Sequence, residues 1–139
     1  MSNYATFDAD ITLSSVLDVE ATAEKAKQAF CVSDVSVSQV TDDTFELWFG
    51  ENADYRDDDI HAFLQEIQPH TVSGYVTYRG ESGDHWRNIF DKTSQQWVEE
   101  DGDIVYNPET RRTMDELVEA DRIFQAQLRR NIFADEPER

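Results

Sequence analysis

The stretch from Val72 to Asn107 constrains the fold of this chain more than any other. It reads VSGYVTYRGESGDHWRNIFDKTSQQWVEEDGDIVYN. Apolar runs at Tyr75–Tyr78, Trp86–Phe90 and Gln96–Val98, and a short fourth at Ile104–Tyr106, are separated by turns rich in Gly, Asp and Ser. Short β-prone runs spaced by turn residues predict an antiparallel meander. Two of the three Trp and three of the five Tyr lie here, so the meander is expected to supply much of the sheet core.

Other segments carry helical and strand periods. Ala5, Phe7, Ala9, Ile11 and Leu13 alternate with Thr6, Asp8, Asp10 and Thr12, which predicts a strand with one buried face. Helix composition follows from Thr22 to Phe30, with Thr22 as the expected N-cap. Val35–Val40 and Thr44–Phe49 predict a hairpin joined through Thr41-Asp42-Asp43, with Trp48 facing away from Phe45 and Leu47. Gly50–Asp54 is expected as a loop. Asp57, Asp58 and Asp59 then open a short helix, where the dipole favours acids, and Pro69 ends it. Gly74 leads into the meander. Asn107-Pro108-Glu109 reads as the start of a long helix with a stripe at Met114, Leu117, Val118, Phe124 and Leu128. This order predicts an α+β fold: a mostly antiparallel sheet, ferredoxin-like or an elaborated meander, with two short helices and a long C-terminal helix. One domain over residues 1–133 is expected, with 134–139 as a frayed polar tail.

Charge narrows the function classes. Thirty acidic residues stand against twelve basic ones, of which only Lys25, Lys27 and Lys92 are lysines, giving a net charge of −18. Such a chain repels nucleic acid and anionic membranes, so its natural partners are basic surfaces and cations. No apolar run reaches bilayer-spanning length, and the N-terminus lacks the pattern of a signal peptide. The lone Cys31 allows no internal disulfide. Together these lead to an expectation of a cytoplasmic protein. Cys31 itself reads as a small apolar group packing after Phe30.

No catalytic residue, metal site or cofactor is expected. The loop Arg79–His85 gathers Glu81, Asp84 and His85, an acid/base or metal cluster on one view and a polar turn on the other. The run Glu99-Glu100-Asp101-Gly102-Asp103 lacks the calcium-loop spacing, because Pro108 stands where the bidentate Glu belongs. His61, His70 and His85 have no metal-ligand spacing, and no phosphate loop or nucleophile motif is present. Arg111, Arg112, Arg122, Arg129 and Arg130 on the last helix are expected to pair with nearby acids. The sharper alternative makes that helix a docking face anchored by Phe124 and Phe133.

Three functional expectations remain. The first is a stoichiometric binding protein whose acidic surface imitates nucleic acid and occupies a basic groove. Asp57, Asp58, Asp59, Glu99, Glu100, Asp101 and Asp103 would form its contact surface. The class analogy is with phage-encoded inhibitors of restriction and CRISPR systems, DNA mimics that need no catalytic residues. The second is adaptation to high salt, where the acidity serves solvation alone. The third is a small enzyme or ligand-binding domain using the 79–85 loop, which needs Glu81, Asp84 and His85 within hydrogen-bond reach around one pocket. An exposed Trp48 or a free meander edge would serve self-association.

Overall fold

A computed structural model describes residues 3–134, which divide into two units, one up to Ile104 and one from Val105 on. The first unit holds strands β1 (Tyr4–Ser14), β2 (Ser36–Thr41), β3 (Thr44–Asp54), β4 (Thr71–Gly80), β5 (His85–Asp91) and β6 (Gln96–Gly102), with helices α1 (Val19–Phe30) and α2 (Asp57–Ile67). A 3-10 turn, Gln68–His70, links α2 to β4. The second unit holds a 3-10 turn at Pro108–Thr110 and the helix α3 (Met114–Ala134).

The six strands form one sheet in the order β2-β3-β1-β4-β5-β6, and every neighbouring pair is antiparallel. The first four strands with their two intervening helices make the ferredoxin-like βαββαβ arrangement, which β5 and β6 extend. The α+β expectation therefore describes the molecule.

The alternation along β1 sets the layers. Ala5, Phe7, Ala9, Ile11 and Leu13 are buried on one side, with Phe45, Leu47, Phe49 and Ala53 beside them on β3 and Val76 and Tyr78 on β4. Thr22, Ala26, Ala29 and Phe30 of α1, and Ile60, Phe63, Leu64 and Ile67 of α2, cover that side. Phe30 locks the layers together, with ring centroids 5.8 Å from Phe7, 4.8 Å from Phe49 and 6.0 Å from Phe63. The core thus centres on β1, β3 and the two helices. The meander contributes Val76, Tyr78, Asn88 and Phe90 to it, less than its aromatic content suggests.

Several boundaries differ from expectation for local reasons. α1 starts a turn before Thr22, because the Asp18 carboxylate accepts from the Ala21 amide at 2.8 Å; Thr22 is buried and its hydroxyl donates to the Asp18 carbonyl. Residues 50–54 are no loop: β3 runs on to Asp54, paired with β1 through Tyr4. Gly74 lies inside β4 rather than before it. A side chain there would press on Asp10 O and Ile11 Cα at 3.0 Å and on the Trp97 ring at 3.1 Å. Residues 104–106 form no fourth strand and are exposed. Asn107 caps the short 3-10 turn by accepting from the Glu109 amide, and α3 begins later, where the Thr113 hydroxyl accepts from the Glu116 amide. Cys31 is half-buried against the core, as expected, and also closes α1 in the left-handed conformation, φ 55°.

Candidate binding surface

Within the first unit α1 and α2 pack on one side of the sheet and leave the other side, which the even-numbered positions of β1 and their cross-strand partners line, without a helix. Register places Trp48 opposite Asp10, Asp10 opposite Tyr75, Tyr75 opposite Ile89, and Ile89 opposite Val98. At the usual strand spacing this row crosses five strands over about 19 Å. Trp48 and Tyr75 are each 39% exposed, far more than aromatics of a finished core. Carboxylates surround the row. Asp8 stands one step along β1, Glu46 is the diagonal neighbour of Asp10, and Glu100 lies across from Arg87. Arg87 donates to Glu100 at 2.8 and 3.0 Å.

The electrostatics of this face are opposed to one another. Partial burial, and after it the neighbouring Asp10 carboxylate, raises the Glu46 pKa above its ordinary value. Partial burial, then Asp8, Asp10 and Glu46, raises the Tyr75 phenol as well. Like charges at diagonal cross-strand positions work against the sheet. A cation laid over the row would relieve that repulsion beside two exposed aromatic side chains.

The acids singled out by the sequence occupy different places. Asp57, Asp58 and Asp59 form the exposed first turn of α2. Glu99 and Asp101 fall on the helix side of β6, opposite Asn88 and Trp86, whereas Glu100 falls on the open side. Asp103 lies just past the strand. The structure brings Asp57 and Glu99 near one group: burial first, then these two carboxylates, push the Tyr55 phenol up against the lowering effect of Trp86. Glu99 also meets His61 of α2 at 3.4 Å. It does not join the whole set into one ridge, since strand alternation splits Glu99 and Asp101 from Glu100. Charges on an edge strand have a second effect, opposing pairing with another sheet.

The 79–85 loop is a tight turn closed by Gly80 N–H to Asp84 O at 2.9 Å and Gly83 N–H to Gly80 O at 3.1 Å. Ser82 donates to the Asp84 carboxylate at 3.0 Å. Glu81 lines a surface hollow with Tyr4, Tyr55 and Trp86, and His85 lines a different one with Asp101 and Ile104. Among the described residues, Glu81, Asp84 and His85 share no hydrogen bond, and no group of three His, Cys, Asp or Glu is arranged to hold a metal ion.

Of the five arginines expected to pair with nearby acids, Arg122 does so, with Glu119 at 2.6 Å; among the described residues no ion pair joins Arg111, Arg112, Arg129 or Arg130 to an acid. Phe124 is 60% exposed, and the Phe133 side chain lies outside the described residues, as does the tail from Asp135. Among the described residues, no helix is long and apolar enough to cross a membrane.

The aromatic row is what the sequence reading missed. The signal was present in Trp48 and in the polar positions of β1, but only the pairing of β1 with both β3 and β4 puts Trp48, Asp10 and Tyr75 in line. No protein-family model, curated protein or solved structure matches the chain.

Proposed function

We propose that this protein acts by stoichiometric binding to a basic protein surface, receiving Arg or Lys side chains on the open face of its sheet. The row Trp48–Asp10–Tyr75 carries this reading. A guanidinium stacked on an exposed indole or phenol gains about 0.5–1 kcal/mol, more once desolvated, and a carboxylate between the rings adds a charge-assisted hydrogen bond. The net charge of −18 steers such a partner in and repels nucleic acid from a face whose exposed aromatics would otherwise suit base stacking. The finer proposal is that the basic surface is the nucleic-acid groove of a processing or phage-defence complex, which the protein inhibits by mimicry. The carboxylates Asp57 and Glu99 beside Tyr55 lie on the helix side of the sheet and would form a separate acidic patch.

The test titrates a Trp-free Arg-rich peptide while following tryptophan fluorescence, at rising KCl. Saturable one-to-one binding that weakens with salt, and that Trp48→Ala and Asp10→Asn each reduce several-fold, supports the proposal. Binding unaffected by both variants defeats it.

A second reading rests on a separate observation. Acids also populate α1, the β2–β3 turn and α2, well away from the row, and besides the His61–Glu99 contact only four ion pairs form among the described residues. That dispersal suits salt adaptation, in which screening in concentrated salt relieves self-repulsion. Melting against KCl separates the two. A salt-adapted fold gains much stability up to molar KCl and loses its cooperative transition in dilute buffer, whereas a binding protein of low-salt habitat stays folded in both.

A further inference from the structure

The turn between β4 and β5 carries Glu81, Ser82 and Asp84, and these line one surface hollow with two aromatic side chains from other elements. Tyr55 follows β3 directly. Trp86 lies on β5 opposite Tyr78, on the helix side of the sheet. The Tyr55 and Trp86 rings meet at 73° with centroids 5.2 Å apart, so they make a corner. Both are half-buried, and the buried Tyr78 holds them from the core side, stacked on Trp86 at 5.2 Å and edge-on to Tyr55 at 5.5 Å. The corner is therefore fixed before anything binds. Gly80 keeps it open, since a Cβ there would reach the Trp86 ring at 3.4 Å. The hollow is about 410 Å³, within the range of small-ligand sites.

Its chemistry selects a cation. Glu81 and Asp84 line it, and no basic residue does. Among the described residues neither carboxylate has an ion-pair partner, and the Ser82 hydroxyl already donates to Asp84. Tyr55 also lies in the field of Glu99 and Asp57. An anion is repelled from such a place. Among the described residues no three His, Cys, Asp or Glu converge to hold a metal ion. A bare ammonium is strongly hydrated and gains little from the rings. A methylated ammonium donates no hydrogen bond and spreads its charge over methyl groups, which aromatic faces and nearby carboxylates stabilise together.

We propose that the hollow bounded by Tyr55, Trp86, Glu81 and Asp84 binds a methylated ammonium group, carried by a small molecule such as choline or by a trimethylated lysine side chain. The two rings take the methyl groups, and the two carboxylates balance the charge. His85 lines a different hollow, so the site holds a cation and moves no proton. It lies on the helix side of the sheet, apart from the Trp48–Asp10–Tyr75 row, and does not depend on what the open face receives.

The test titrates the isotope-labelled full chain with choline and, separately, with its uncharged isostere dimethylbutanol, following the indole N–H signals by NMR. Choline is expected to saturate and to move the Trp86 signal while Trp48 stays in place. The isostere has the same shape without the charge and should bind at least about tenfold more weakly. Glu81→Gln with Asp84→Asn, both exposed positions, should weaken choline several-fold and leave the melting curve unchanged. Tyr55→Leu should weaken it about tenfold, whereas Tyr55→Phe keeps the ring and should stay within about threefold. Should Tyr55→Leu fail to fold, the comparison of choline with its isostere on the wild type still decides. A peptide bearing trimethyllysine that binds at least about tenfold more tightly than choline assigns the group to a methylated chain, and equal affinity assigns it to a free small molecule. Equal binding of choline and the isostere overturns the proposal. So does a Trp86 signal unmoved at about 50 mM choline, or a choline shift at Trp48 alone, which would place the cation on the open face instead.

Discussion

Replacing Tyr78 by Phe removes one oxygen from the interior and tests how the meander is joined to the core. Tyr78 and Asn88 are both buried, at 2% and 4% exposure, and the phenol donates to the Asn88 side-chain carbonyl at 2.5 Å. The ring itself stays packed, stacked on Trp86 at 5.2 Å and edge-on to Phe7 at 5.6 Å. The loss is therefore the hydrogen bond plus the cost of leaving the Asn88 oxygen unsatisfied, together about 2 kcal/mol. For a unit of this size that is a fall in Tm of roughly 10 °C. Urea unfolding followed by circular dichroism measures it as a lower midpoint at unchanged slope. Adding Asn88→Val should recover much of the loss, because neither group is then left without its partner. The same pair has a pH signature. Burial raises the Tyr78 pKa well above the ordinary phenol value, so the folded state keeps a proton that the unfolded chain releases. Its contribution is complete below about pH 10 and declines as pH rises further, and Tyr78→Phe should flatten that alkaline decline. A Tyr78→Phe protein within about 0.5 kcal/mol of wild type, or a double variant showing no recovery, would refute the reasoning.

Gly74→Ala should cost about 1–3 kcal/mol, because its φ of +157° and the backbone of Asp10 and Ile11 at 3.0 Å leave no room for a methyl group; differential scanning calorimetry reads this directly. Asp10→Asn should raise stability at neutral pH while weakening binding of a basic partner. The sign follows from Glu46, whose raised pKa makes its contribution complete below the ordinary carboxylate value and lost as pH rises through the folded one, and which Asp10 helps to raise. Titration of the Glu46 carboxyl by NMR should show its pKa fall in the variant, and an unmoved value would remove Asp10 as a cause. Arg87→Ala should change stability by no more than about 1 kcal/mol, since its pairing with Glu100 is solvent-exposed; a larger loss in urea unfolding would mean that the pair fixes the β5–β6 register.

Elements whose identity rests on local periodicity were legible from the sequence. The strict alternation of residues 5–13 and the acids opening α2 both read correctly, because one buried side and one dipole dictate them. Elements whose ends depend on distant partners did not. Residues 50–54 have loop-like composition and become strand only because β1 lies alongside. Residues 104–106 have strand-like composition but meet no partner strand. The site suffered the same limit. Asp57–Asp59 and Glu99–Asp103 stand out as runs, yet a run along a strand alternates sides, so neighbours in sequence part company in space. Trp48, Asp10 and Tyr75 are far apart in sequence and become a row only through the sheet order.

The most direct test of the open face as the binding surface is an amide and indole NMR footprint of the Arg-rich peptide on the labelled full chain. The expected result is a set of shifts confined to β1, β3 and β4 around Asp10, with the Trp48 indole among the largest. Shifts centred instead on Asp57–Asp59 and Glu99, with Trp48 and Tyr75 silent, would contradict it.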